Sequence, residues 1–217
     1  MANTRFARAP QIDLSDIYDF VELPDGKVIS SSESGHLLLW EGNFVKTRFV
    51  TSDQKPDEMY TTTLTNDIFG TVPAHEGGIY VTFHDRLTDS IVTAGADGTV
   101  KWWDFKAIDV AEVDSDITMD YPLVPTRTIN VGADVMIKSI VPSPDDNSYI
   151  IVDGNGKLLK LPLDSETPET LWTFHAGPIV GIAASPIDHY AVTAGVDGNV
   201  SVWDYVSKEI SSTAANG

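Results

Sequence analysis

The chain contains no cysteine. That excludes disulfides, thiolate zinc sites, iron–sulfur clusters and thiol nucleophiles together, so packing has to hold the fold. Basic residues are scarce: 14 Lys and Arg stand against 32 Asp and Glu, a formal net charge of −18. This is the wrong sign for neutralising phosphates or anionic headgroups, so neither nucleic acid nor a membrane is an expected partner. No stretch approaches the roughly 18 apolar residues of a membrane-spanning helix, and the opening MANTRFARAPQIDLSD has no apolar core of a signal peptide. A soluble intracellular protein is expected, and a reducing compartment is compatible with it. What is present is 217 residues, 42% hydrophobic and 21% charged, which is room for one domain or two small ones around a buried core.

Internal repetition decides the architecture. Residues 93–104, TAGADGTVKWWD, align without a gap on residues 193–204, TAGVDGNVSVWD, at an offset of 100. Upstream, His75, Gly77 and Ile79 fall opposite His175, Gly177 and Ile179, and each His precedes its Trp by 28 residues. Each segment reads as strand, tight turn, strand, with Asp-Gly predicting a type I′ turn that needs positive φ at both central residues. With the turn glycine as a ruler, two weaker copies emerge. Residues 28–40, VISSSESGHLLLW, carry Ser34-Gly35 and Trp40; residues 150–161, IIVDGNGKLLKL, carry Asn155-Gly156 and put Leu161 at the Trp position.

The four turn glycines, Gly35, Gly98, Gly156 and Gly198, are spaced by 63, 58 and 42 residues. Blades of WD-type propellers repeat every 40–45 or so, which places insertions in the first two intervals, at 41–74 and 104–132. The expectation is an all-β chain of about four blades of about four strands each, with a short helix within 105–116. The division expected is an N-terminal extension at 1–14, a propeller segment over 15–208 with blades near 15–50, 75–131, 134–174 and 175–208, and a flexible tail at 209–217.

His, then Ser or Thr, Asp and Trp-Asp at these intervals resemble the WD40 repeat, complete in two copies and partial in two. The resemblance implies a buried polar chain in which the turn carboxylate accepts from the imidazole, the imidazole meets a strand hydroxyl, and that hydroxyl accepts from the indole N–H. Alignment assigns it to His75, Thr93, Asp97 and Trp103, and again to His175, Thr193, Asp197 and Trp203. Its expected role is structural. Since WD40 rings usually close with more blades, an incomplete ring is expected.

The strings ELPDGKVISSSESGHLLLWEGNFVK (22–46), VKWWDFKAIDVAEVD (100–114) and FHAGPIVGIAASPIDHYAVTAGVDGNVSVWDYVSK (174–208) resemble more narrowly the cilia- and flagella-associated protein 44 family. That resemblance implies a non-catalytic scaffold in the axoneme of a motile cilium or flagellum. There it would form part of a tether between an inner dynein arm and the doublet microtubule, with inner-arm dynein and cilia- and flagella-associated protein 43 as partners. Members of that family are much longer, so the chain is expected to be a piece of a larger product.

Chemistry-bearing motifs are weak by comparison. The histidines are His36, His75, His84, His175 and His189. His75-Glu76 opens like a zincin motif but lacks the second His, and His84-Asp85 has no nucleophile elbow to serve, which leaves a strand-end pair. Residues 153–157, DGNGK, resemble the start of an EF-hand loop, yet Lys157 occupies a ligand position and Leu158 replaces the required Gly, so a hairpin is preferred. No metal, cofactor, catalytic residue or small-molecule substrate is expected. The acidic residues Asp104, Asp109, Glu112, Asp114, Asp116 and Asp120 are a solvated loop or a docking surface for a basic partner, with Asp109, Glu112, Asp114 and Asp116 as the docking candidates. The competing function is a WD40 adaptor or substrate receptor in a non-ciliary cytoplasmic complex. A propeller enzyme would need converging acids, bases or ligands that the sequence does not bring together.

Overall fold

The computed structural model describes residues 15–51, 73–111, 119–132, 135–144, 147–173, 175, 177–207 and 209–215. These residues form seventeen strands in four sheets and one short helix. The first sheet has the order β1-β2-β3-β4-β8, from Ile17–Glu22, Val28–Ser32, Leu37–Glu41, Phe44–Val50 and Met119–Pro122. The second is β5-β6-β7-β9, from Ile79–Asp85, Ser90–Gly95, Thr99–Asp104 and Arg127–Asn130. The third runs β10 to β13 (Ile137–Pro142, Ser148–Asp153, Lys157–Pro162, Glu169–Thr173) and the fourth β14 to β17 (Ile179–Ala184, Tyr190–Gly195, Asn199–Asp204, Glu209–Ala215). Sequential antiparallel pairing with short turns is what alternating β-branched runs and turn glycines dictate. The chain divides into two compact units, residues 1–93 with 101–128, and residues 94–100 with 129–217.

A shared irregularity marks the first strand of three sheets. Register shifts occur at Ile17/Asp19 in β1, Ile137/Ser139 in β10 and Ile179/Gly181 in β14. One extra residue at a constant place re-aims the strand's side chains in the same way each time, as a conserved β-bulge does.

Three expectations are corrected. The repeat turns are not type I′. Positive φ occurs at Gly35, Gly98, Gly156 and Gly198 but not at Ser34, Asp97, Asn155 or Asp197. In each, the glycine N–H bonds the carbonyl three residues back, as from Gly98 to Gly95 at 3.3 Å and from Gly198 to Gly195 at 3.1 Å. This is the three-residue hairpin loop with its last residue left-handed, where only that residue needs glycine. Residues 209–215 are not a fraying tail. They form β17, paired from Asp204↔Glu209 to Asn199↔Ala215, because a ladder needs backbone groups rather than large side chains.

The third correction concerns the two insertions, which hold strands as well as loops. β4 lies in the first of them. In the second, the helix α1 (Phe105–Asp109) is capped by Asp104, whose carboxylate accepts from Lys106 N at 2.9 Å. β8 then pairs parallel with β4 as a fifth strand. Arg48 and Asp120 stand opposite one another there and close a bidentate ion pair at 2.7 and 2.8 Å with both residues 8% exposed. A buried pair of that geometry fixes register, and removing one partner strands the other charge.

Candidate functional site

The repeated polar residues are drawn together by hairpin geometry. In the fourth sheet Thr193 on β15 stands two rungs from the Trp203 pair on β16, and the Trp203 indole N–H donates to Thr193 Oγ1 at 2.6 Å. His175 Nε2 lies 2.9 Å from the same hydroxyl, and its Nδ1 lies 3.1 Å from both carboxylate oxygens of Asp197. One assignment of protons satisfies all four groups: the indole donates to the hydroxyl, the hydroxyl to Nε2, and Nδ1–H to the carboxylate. His175 and Thr193 are buried, so the network is shielded from competing water.

In the second sheet, His75 Nε2 lies 2.7 Å from Thr93 Oγ1, which accepts from Trp103 Nε1 at 2.8 Å, with all three residues fully buried. Asp97 Oδ1 accepts from Thr99 N at 3.0 Å and from Thr99 Oγ1 at 2.8 Å, bracing the turn in which it lies. The first sheet keeps a shortened version that sequence reading had not singled out. Trp40 Nε1 donates to Ser30 Oγ at 2.8 Å. Ser30 stands five residues before Gly35, as Thr93 does before Gly98, so the glycine ruler already pointed to it. In the third sheet Ile151 and Leu161 hold the hydroxyl and indole positions, and apolar packing stands in for the polar chain.

The remaining candidates are dispersed. His36 Nδ1 meets Ser34 Oγ at 2.8 Å, His84 stacks on Phe105 at 4.4 Å, and His189 packs edge-on against Tyr205 at 5.8 Å. Asp85 caps a turn, accepting from Leu87 N and Thr88 Oγ1, and Asp89 Oδ1 lies 3.6 Å from His84 Nε2. Asp153 Oδ1 accepts from Asn155 N at 2.9 Å and Lys157 N at 2.7 Å, which makes DGNGK a braced hairpin. Among the described residues no group of three or more His, Asp or Glu is placed to hold a metal ion, and no helix is long and apolar enough to cross a membrane.

The acidic surface is smaller than its sequence suggested. Asp120 is buried against Arg48 and is no docking residue; the reason is the β4/β8 pairing, invisible in the sequence. Asp104 caps α1, and Asp109 is half-buried, with its carbonyl accepting from Lys27 Nζ at 3.3 Å. Glu112, Asp114 and Asp116 lie outside the described residues.

Four sheets of four or five strands, with a hydroxyl–indole bond repeated in three of them, define a β-propeller chain built from WD40 repeats. The family model "WD domain, G-beta repeat" matches residues 67–104 and 167–204. Beyond the repeat, the chain is homologous to cilia- and flagella-associated protein 44: 34% identical over 89% of this chain to the mouse protein, and 31% over 94% to that of Chlamydomonas reinhardtii. The trypanosome relative is 31% identical over 91%. The chain spans only 10–12% of the length of these relatives. A solved chain from the mitotic checkpoint complex superposes with a TM-score of 0.63 over 95% of this chain and 53% of its own, at 12% identity, a likeness of fold alone.

Proposed function

We propose that the chain is a non-catalytic WD40 interaction module of an axonemal protein in motile cilia or flagella. In this reading it forms part of the tether joining an inner dynein arm to the doublet microtubule, with inner-arm dynein and cilia- and flagella-associated protein 43 as neighbours. The observation that carries the reading is likeness to cilia- and flagella-associated protein 44 along about nine-tenths of the chain in three distant organisms, well beyond the two matched repeats. The buried polar groups support a scaffold role, because the residues with chemical potential are engaged in capping turns and joining strands. We assign His75, Thr93, Asp97 and Trp103, and His175, Thr193, Asp197 and Trp203, to holding their sheets together.

The test is affinity purification of the tagged full-length gene product from ciliated cells, with mass spectrometry and imaging of the tag. Inner-arm dynein subunits and a tag along the axoneme are expected. A cytoplasmic tag accompanied by ubiquitin-ligase or coat components would replace the axonemal reading with that of a cytoplasmic adaptor.

A further inference from the structure

The backbone N–H after the turn glycine finds a side-chain acceptor in all four sheets, by two different routes. In the second and fourth sheets the acceptor is the residue just before the glycine: Thr99 N donates to Asp97 Oδ1 and Asn199 N to Asp197 Oδ1, both at 3.0 Å. In the first and third it stands three residues before the glycine: His36 N donates to Ser32 Oγ at 3.1 Å and Lys157 N to Asp153 Oδ1 at 2.7 Å. Asp153 Oδ1 also accepts from Asn155 N at 2.9 Å. The two routes compete for the same space. In the fourth sheet a Cβ on Gly195, the counterpart of Asp153, would run into His175 Nδ1 and Asp197 Oδ1.

The third sheet therefore leaves the residue before its glycine without a task. Asn155 is exposed, and its carboxamide makes no hydrogen bond among the described residues. Gly156 follows it, and a glycine has no side chain to hinder attack by its own backbone nitrogen on the preceding carboxamide.

We propose that Asn155 is a deamidation site and that Asp153 is its gate. The Gly156 nitrogen, deprotonated by hydroxide, attacks Asn155 Cγ and expels ammonia, which closes a succinimide ring. Water then opens either ring carbonyl, giving an aspartyl or an isoaspartyl residue. In sum one carboxamide and one water become one carboxylic acid and one ammonia, with no oxidant or reductant, and the ionised product adds one negative charge to the turn.

The folded turn holds this reaction back. Gly156 is buried and its N–H bonds the Asp153 carbonyl at 3.3 Å. Ring closure has to turn the peptide between Asn155 and Gly156 out of the position in which Asn155 N and Lys157 N both reach Asp153 Oδ1. Bonds to a carboxylate are the stronger kind, so breaking them slows the attack.

The product strains the turn. Asp153 is fully buried and its Oδ2 has no hydrogen-bond partner among the described residues. A second carboxylate two residues on meets like charge there and competes for the Lys157 N–H. The isoaspartyl form also lengthens the backbone beside Gly156, where a Cβ would already come within 2.6 Å of the Gly177 carbonyl oxygen. Deamidation thus loosens the third sheet's hairpin from the segment that leads into the fourth. This chemistry is independent of the axonemal reading.

The test follows position 155 by peptide mapping and mass spectrometry in the purified full-length gene product, aged at neutral and mildly alkaline pH, folded and in urea. The mapping separates it from Asn216-Gly217. Slow conversion of the folded protein is expected, faster in urea and faster at the higher pH. Asp153→Ala, its fold checked by a thermal melt, should convert at least about tenfold faster than wild type, having lost both bonds of the brace. Asp153→Ser offers Lys157 N the kind of hydroxyl that Ser32 offers His36 N, so it should fall between the two, and it keeps the gate testable where the alanine variant does not fold. Asn155→Asp should melt below wild type, and adding Asp153→Gly, the arrangement of the second and fourth sheets, should restore part of the loss.

Three outcomes overturn the proposal: Asn155 intact in folded wild type and folded Asp153→Ala alike while the urea-treated chain converts, equal rates in wild type and both Asp153 variants, or an Asn155→Asp chain that melts as wild type does.

Discussion

The second and fourth sheets carry nearly the same residues at an offset of 100, yet the same side chains meet different surroundings. Val92, Ala94 and Val100 are fully buried, whereas Val192 and Val200 are each more than a third exposed. β6 is buried at every residue, while β15 alternates between exposed and covered. The turn glycines differ in the same way: a Cβ on Gly98 would come within 2.5 Å of the Val135 carbonyl oxygen, and one on Gly198 would meet nothing within 4 Å. A repeat sequence therefore specifies the hairpin and its polar chain, while a residue's energetic weight depends on what covers the sheet.

The sharpest break in that comparison is a charge at the matched valines. Val92→Asp is expected to destabilise the chain by about 3 kcal/mol or more, or to leave it unfolded, because the carboxylate finds no partner in the core. Val192→Asp should stay within about 0.5 kcal/mol in the single chain, as surface substitutions do. Thermal melts side by side decide it, and equal losses would mean that the fourth sheet's face is covered.

Next come the turns. Gly198→Ala carries the cost of a left-handed alanine, about 1–2 kcal/mol, whereas Gly98→Ala adds a backbone clash and should lose measurably more in urea unfolding. Thr93→Val and Thr193→Val test where the two sheets agree. Each strips an indole N–H and an imidazole nitrogen of a shared buried partner, at an expected cost of about 1–3 kcal/mol, and the two losses should match.

The smallest effect lies at Asp204, after β16. Ser207 N–H, then Val206 N–H, holds its carboxyl below the usual carboxylate value. A lowered folded value means that its contribution is full above the unfolded pKa and fades as the pH falls through the folded one. Asp204→Asn should therefore lower stability slightly at neutral pH, and its difference from wild type should vanish as the pH falls through the folded value, as melts across the acid range would show.

Much was legible because it is local. The offset-100 match, the turn glycines and the His-to-Trp spacing pick out the His, Thr and Trp that the hairpins bring together in both sheets, and in the fourth the distances run on from His175 to Asp197. The short helix expected within 105–116 is α1, since Asp104 supplies a cap in sequence. The turn type was misread because Asp-Gly suits two loop geometries, and the choice between them lies in how the strands twist around it.

β8 and β17 were missed for a different reason. Neither has a strong strand signature, and each is held by a neighbour already in place, β4 and β16 respectively. Asp120 looked like one more acid in an acidic stretch until parallel pairing set it opposite Arg48.

The sequence alone determined the repeat, the all-β class, the lack of thiol chemistry and the polar groups that must find partners, because each rests on residue type and short spacing. Tertiary structure alone decided which valines are core and which are surface, which acid is buried, and which strand ends a sheet. Burial and non-local pairing depend on what the rest of the chain places alongside, and two similar dodecamers do not themselves encode their different neighbours.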